Sequence, residues 1–287
     1  MSEKLRNLVA EELSQPVDPR VAAMAEAIAA QHGTASRAVL FYGSCLREKK
    51  LDGLMLDFYL IVSNYDEAYD KRWLAKANAL IPPNVFPFQH DGLAAKYAVL
   101  SEADFHRLNG PETRNVSVWA RFAQPSRIAW APDESARARA IDAVSRAAPT
   151  LLAAAGRQDG EEPLDWWRRA FALTYSAELR AERKGRSGSV VDADADRYRR
   201  FSGPAIAAIS PSASGGQWRR RRAEGKMLSV IRLAKASATY AGGAEYIVWK
   251  INRHAGTSIE LTPWQKRHPL LAAISLVPRL LRSGAIR

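Results

Sequence analysis

Cysteine is nearly missing: one residue, Cys45, stands in a chain of 287. No internal disulfide can form, and no thiolate cluster is on offer for zinc. Acidic charge is also short, 30 Asp and Glu against 42 Lys and Arg. The resulting formal charge of +12 favours anionic partners: nucleic acid, nucleotides or a lipid surface. Long apolar runs are missing as well, since stretches such as "PLLAAISLVP" fall well short of the roughly 18 residues that cross a bilayer. The opening "MSEKLRNLVAEELSQPVDPR" lacks the apolar segment of a secretory signal, so the protein is expected in the cytosol. No internal repeat recurs, and no Ser/His/Asp or His/Asp arrangement stands out. Hydrophobic residues nevertheless make up 47% of the chain, too many for a disordered polypeptide.

What is present changes character along the chain. "DPRVAAMAEAIAAQ", 18–31, spaces its apolar residues as a helix does. Residues 38–42, 54–63 and 93–101 and the stretch "PSRIAWAP" read as short buried strands, being apolar, aromatic or β-branched between turn residues. "EADFHRL" and "ETRNVSVWARFA" read as helices between them. The first half is therefore expected to be α/β or α+β. Beyond Pro132 strand signals almost vanish. "DESARARAIDAVSRAAPTLLAAA" has Asp133 or Ser135 placed to cap a helix, and "LDWWRRAFALTYSAELRAERKG" is a second helix. "SGPAIAAISPSASGG" reads as a loop, followed by the basic "QWRRRRAEGK". The expected division is 1–132, 133–232 as a mostly helical domain, and 233–287 as a tail.

One stretch carries chemistry. "VLFYGSCLREKKLDGLMLDFYLIV" ends a strand in Gly43-Ser44 and puts a lone carboxylate, Asp57, in the next strand. A Gly-Ser turn can offer backbone N–H groups and a hydroxyl to phosphate, because glycine lets the backbone approach closely. A carboxylate beside it could hold Mg²⁺ against a triphosphate. The same residues also suit an ordinary turn and a solvent-facing strand edge. The alternating second carboxylate common in nucleotidyltransferases is missing, because Met55 stands two positions before Asp57.

The pattern "GS" followed by "MLDF" resembles the mitochondrial-type CDP-diacylglycerol synthases, the peripheral phosphatidate cytidylyltransferases of the translocator assembly and maintenance family. Three further stretches follow in the family's order. "KYAVL" resembles its "KYGV", "WARFAQPSRI" its "AGRLQKPVKI", and "TYSAELR" its "SYSGDFR". More loosely, "IRLAKASATYAGGAEYIVWKINRH" is similar to its C-terminal segment. Ala98 departs from a family Gly, and Glu178 from a family Asp. The resemblance implies a bacterial, cytoplasmic version with a nucleotidyltransferase-fold domain followed by a winged-helix-like helical domain. Its implied reaction joins CTP and phosphatidic acid with Mg²⁺, giving CDP-diacylglycerol and pyrophosphate for phospholipid biosynthesis. The implied catalytic residues are Asp57 and Lys96. Gly43, Ser44, Arg121, Tyr175, Ser176 and Arg180 would bind nucleotide and phosphate, and Asp52 or Glu178 would complete the metal shell of Asp57. Other acceptors, lipid or soluble, and a catalytically silent nucleotide- or RNA-binding module remain open.

The run Arg219, Arg220, Arg221 and Arg222 suits an electrostatic anchor for anionic lipid, a nucleic-acid patch or a solvated loop. Only Trp218 adjoins it, which argues against an obligate nucleic-acid partner. In the tail, Leu276 and Leu280 alternate with Arg279 and Arg282 at roughly helical spacing, as in an interfacial helix. A peripheral position on the cytoplasmic face of the membrane is expected.

Overall fold

In the computed structural model, residues 2–48, 51–177, 190–210, 218–239 and 260–267 are described. Five strands form one open sheet: β1 (Ser36–Tyr42), β2 (Met55–Val62), β3 (Asn84–His90), β4 (Leu93–Ser101) and β5 (Ser126–Trp130). Their order is β3-β4-β2-β1-β5. β2 and β4 run parallel, and the other three pairings are antiparallel. The protein is thus a mixed α/β structure of the α+β kind.

β2 lies in the middle of the sheet with apolar layers on both faces, which accounts for its nearly unbroken apolar sequence. Val39, Phe41, Phe58, Leu60 and Val99 pack on one face against the helix Pro19–Ala30 through Val21, Met24 and Ile28. That helix starts at a Pro, and the Asp18 carboxylate caps it by accepting from Arg20 N at 2.8 Å. Leu40, Tyr59, Ile61, Ala98 and Leu100 face the other way. Their layer continues without a break into Leu5 and Leu13 of the helix Glu3–Leu13 and into Leu151, Trp167, Phe171 and Tyr198 of the later helices. One apolar core therefore crosses residue 132.

Among the described residues, the helices after that point include Glu134–Ser145, Ala147–Ala155, Pro163–Ala177, Ala195–Ala207, Trp218–Thr239 and Pro263–Arg267. Asp133 caps the first, accepting from Ala136 N at 2.7 Å. A buried ion pair ties the two ends of this core. Glu12 accepts from both Arg197 Nη2, at 2.9 Å, and Arg197 Nε, while Arg197 Nη1 reaches Ala123 O at 3.1 Å. Burial opposes the Arg197 charge, but the Glu12 carboxylate more than offsets it and raises the guanidinium pKa.

Several expectations need correction. "ETRNVSVWARFA" is helical only over Trp119–Phe122. "SGPAIAAISPSASGG" is not all loop: the helix Ala195–Ala207 runs through Gly203 and Pro204, held by buried Phe201 and Ala205, while Ser202 Oγ donates to Tyr198 O at 2.6 Å. The basic run sits on a helix, not a loop. β3 went unread because Pro87 interrupts it. It is an edge strand, where a missing N–H costs no ladder bond. The signal for it was Asp91-Gly92, both at positive φ (46° and 75°), in the hairpin turn to β4. No described helix is long and apolar enough to cross a membrane.

Candidate active site

Three strands bring the candidate residues to one end of the sheet. Tyr42, at the end of β1, pairs with Asp57 near the start of β2, and Asp57 pairs with Lys96 on β4. Paired residues share a face, so the three side chains lie in one row. Lys96 Nζ stands 2.8 Å from Asp57 Oδ1. Oδ1 is buried, and the contact is an ion pair. Side-chain exposure of 29% and 21% leaves both groups reachable from solvent.

The Gly-Ser turn closes on the same carboxylate. Gly43 has φ +97°, and a Cβ there would stand 3.0 Å from Asp57 Oδ2. Both the backbone angle and the space restrict position 43 to glycine. Ser44 opens the five-residue helix Ser44–Glu48, and the only cysteine, Cys45, is buried one residue further.

Arg121 enters from the helix Trp119–Phe122. It donates to Ser117 O within one helical turn and reaches the Tyr42 hydroxyl. Burial pushes the Tyr42 pKa well up, and the Asp57 charge adds to this; Arg121 acts in the opposite direction. Tyr42 was not expected here, although its place beside Gly43 on the strand facing Asp57 was the signal. Arg232 was also missed. On the helix Trp218–Thr239 it donates from Nη1 to Ser117 Oγ at 2.8 Å and from Nε to Pro82 O at 2.9 Å, and nothing in its own neighbourhood in sequence marks it.

Other expected residues are placed differently. Asp52 accepts from Arg20 Nη1 at 3.1 Å and is 77% exposed. Leu51 and Leu54, around it, belong to the opposite apolar layer. Among the described residues no group of three or more His, Cys, Asp or Glu could hold a metal. Glu178 and Arg180 lie outside the described residues. Tyr175 is half-buried against the core, and Ser176 is exposed with its hydroxyl turned back to Leu173 O at 2.7 Å.

The basic run is divided as well. Arg219 and Arg222 are exposed, and Arg220 Nε pairs with Glu224 at 2.8 Å. Arg221 is buried, donating to Arg114 O at 3.1 Å and lying over the Trp218 ring. As a lipid anchor it is corrected to a packing residue, because helical spacing turns one Arg of four inward. Leu276, Arg279, Leu280 and Arg282 lie outside the described residues.

The arrangement sets one carboxylate beside a lysine, an arginine at the Tyr42 hydroxyl and a glycine turn, which suits a polyphosphate better than a neutral ligand. Neither the protein-family models nor the curated proteins with which the chain was compared match it.

Proposed function

We propose that this protein is a nucleotidyltransferase that transfers the cytidylyl group of CTP to phosphatidate. The observation that carries the reading is the Asp57–Lys96 pair closed over by Gly43. The choice of CTP and of a lipid acceptor follows from the resemblance in "KYAVL", "WARFAQPSRI" and "TYSAELR", and the sheet with its helical second half is read as the family's nucleotidyltransferase and winged-helix-like regions.

A phosphatidate oxygen is anionic at neutral pH, so it attacks the α-phosphorus of CTP without losing a proton. A new P–O bond forms, the bond to the β-phosphate oxygen breaks, and pyrophosphate leaves with the electron pair. No general base is needed. Catalysis then rests on holding two anions together and neutralising them. Gly43 and Ser44 hold the outer phosphates through the backbone. Lys96 and Arg121 offset the charge where the two substrates meet, and Tyr42 holds Arg121 in place. A lone carboxylate suits Mg²⁺, which commonly takes one or two carboxylates, waters and phosphate oxygens. Asp57 is the group that would hold it. The ion supplies charge neutralisation to the departing pyrophosphate.

The test is pyrophosphate release from CTP with and without phosphatidic acid, using Asp57→Asn as the control. Release that needs phosphatidic acid and is lost in the variant supports the reading. Equal release with a soluble phosphate monoester moves the acceptor class, equal turnover of ATP removes the CTP assignment, and no release with any acceptor leaves a nucleotide-binding module.

A further inference from the structure

The helix Arg72–Leu80 presents two different faces. Its inner face buries Ala75 and Asn78, and Asn78 is anchored by donating to Tyr69 Oη at 3.1 Å and Val99 O at 3.0 Å. Its outer face carries Trp73, 50% exposed, and Leu80, 80% exposed. Seven residues apart, they stand on one side, two turns from each other. These are two of the four large apolar side chains exposed among the described residues. Lys71, Arg72 and Lys76 surround them, all exposed and none in an ion pair among the described residues. Asp70 is the only acid in the segment, and the helix itself contains none.

The C-terminal end of this helix is tied to the helix Trp218–Thr239. Leu80 leads into Ile81 and Pro82, whose carbonyls accept from Lys235 Nζ and Arg232 Nε.

We infer that the outer face of the helix Arg72–Leu80, centred on Trp73 and Leu80, docks the protein onto an anionic bilayer surface. A Trp and a Leu with basic residues on either side match what an interface takes up: apolar groups enter the headgroup boundary, the indole N–H stays wet, and the ammonium and guanidinium groups meet lipid phosphates. A protein partner would need an acidic rim to meet this one, whereas an anionic bilayer supplies that charge in any orientation. The surface follows from its own residues and holds whichever acceptor the site uses.

The experiment is co-sedimentation of the full chain, without nucleotide, with vesicles of phosphatidylcholine alone or mixed with phosphatidylglycerol. Wild type is expected on the mixed vesicles and largely absent from the neutral ones. The double variant Trp73→Ser/Leu80→Ser should bind at least about tenfold more weakly, with an unchanged circular dichroism spectrum. Lys76→Gln alone should cost about fivefold, the equivalent of about 1 kcal/mol for one basic residue near an anionic surface. Wild-type failure to bind mixed vesicles overturns the inference, as does undiminished binding by both variants. So does loss of self-association, rather than vesicle binding, in the double variant, which would make the patch a contact between copies. None of these outcomes depends on CTP turnover, so the failure of the docking surface and the failure of the proposed reaction are told apart.

Discussion

Asp57 and Lys96 face each other across parallel strands β2 and β4, with Lys96 Nζ 2.8 Å from Asp57 Oδ1. The carboxylate is thus compensated by a cation before any substrate arrives. Its other oxygen, Oδ2, is pressed toward Gly43. Asp57→Asn keeps the volume and removes the charge. Pyrophosphate release should fall at least about 100-fold, while stability changes by about 1 kcal/mol or less for a partly exposed pair. Parallel assays of turnover and urea unfolding check this; near-normal turnover would remove Asp57 from the chemistry.

Gly43→Ala tests the turn itself. At φ +97°, with Asp57 Oδ2 3.0 Å from the new Cβ, the substitution is strained twice over. It should lower stability by about 1–3 kcal/mol and weaken CTP binding as the turn shifts. Thermal unfolding and nucleotide titration of the same preparation would show it, and an unaltered protein on both counts would make the turn an ordinary one.

Gly225 marks a close helix crossing. A Cβ there would fall 2.2 Å from the backbone oxygen of Ala177, and backbone cannot step aside as a flexible side chain does. Gly225→Ala should cost about 1–3 kcal/mol or more, measured by denaturant unfolding. An equally stable variant would show that the helices Pro163–Ala177 and Trp218–Thr239 do not depend on this contact.

Lys235 gives a pH dependence. Burial, with Arg232 repulsion added, pushes its pKa down to about 7 in the folded protein, from 10.5. Between these values the unfolded chain binds more protons, so this group's contribution to stability rises as pH increases from about 7 toward 10.5. Lys235→Met should therefore reduce the upward slope of stability with pH across that window. Unfolding free energies of wild type and variant at pH 7 and 9 decide it; identical slopes would mean that Lys235 is charged and solvated in the fold.

Glu12 and Arg197 are both nearly enclosed. Glu12→Gln leaves a guanidinium buried without its counter-charge and should cost about 3–5 kcal/mol. Replacing both partners with apolar residues of similar size should recover most of that loss. A double-mutant cycle on unfolding free energy measures the coupling, and additive losses would show that the pair is not coupled.

Much of the local structure could be read from local chemistry. The apolar run 54–63 becomes β2 because both of its faces are covered, and Asp18 and Asp133 cap helices through side chains two and three residues from their donors. Gly43 and Asp57 were also recognisable, since a turn glycine and a lone charge in an apolar strand each break a short-range pattern. The tertiary structure decided what those patterns leave open. Strand order and register set Lys96 beside Asp57 and left β3 at an edge where Pro87 is harmless. Helix packing turned Arg221 inward, brought Arg232 to Ser117 and drew Asp52 to Arg20. Caps and alternation are fixed by groups a few residues apart, whereas the partner of a distant charge depends on which faces the whole chain buries together.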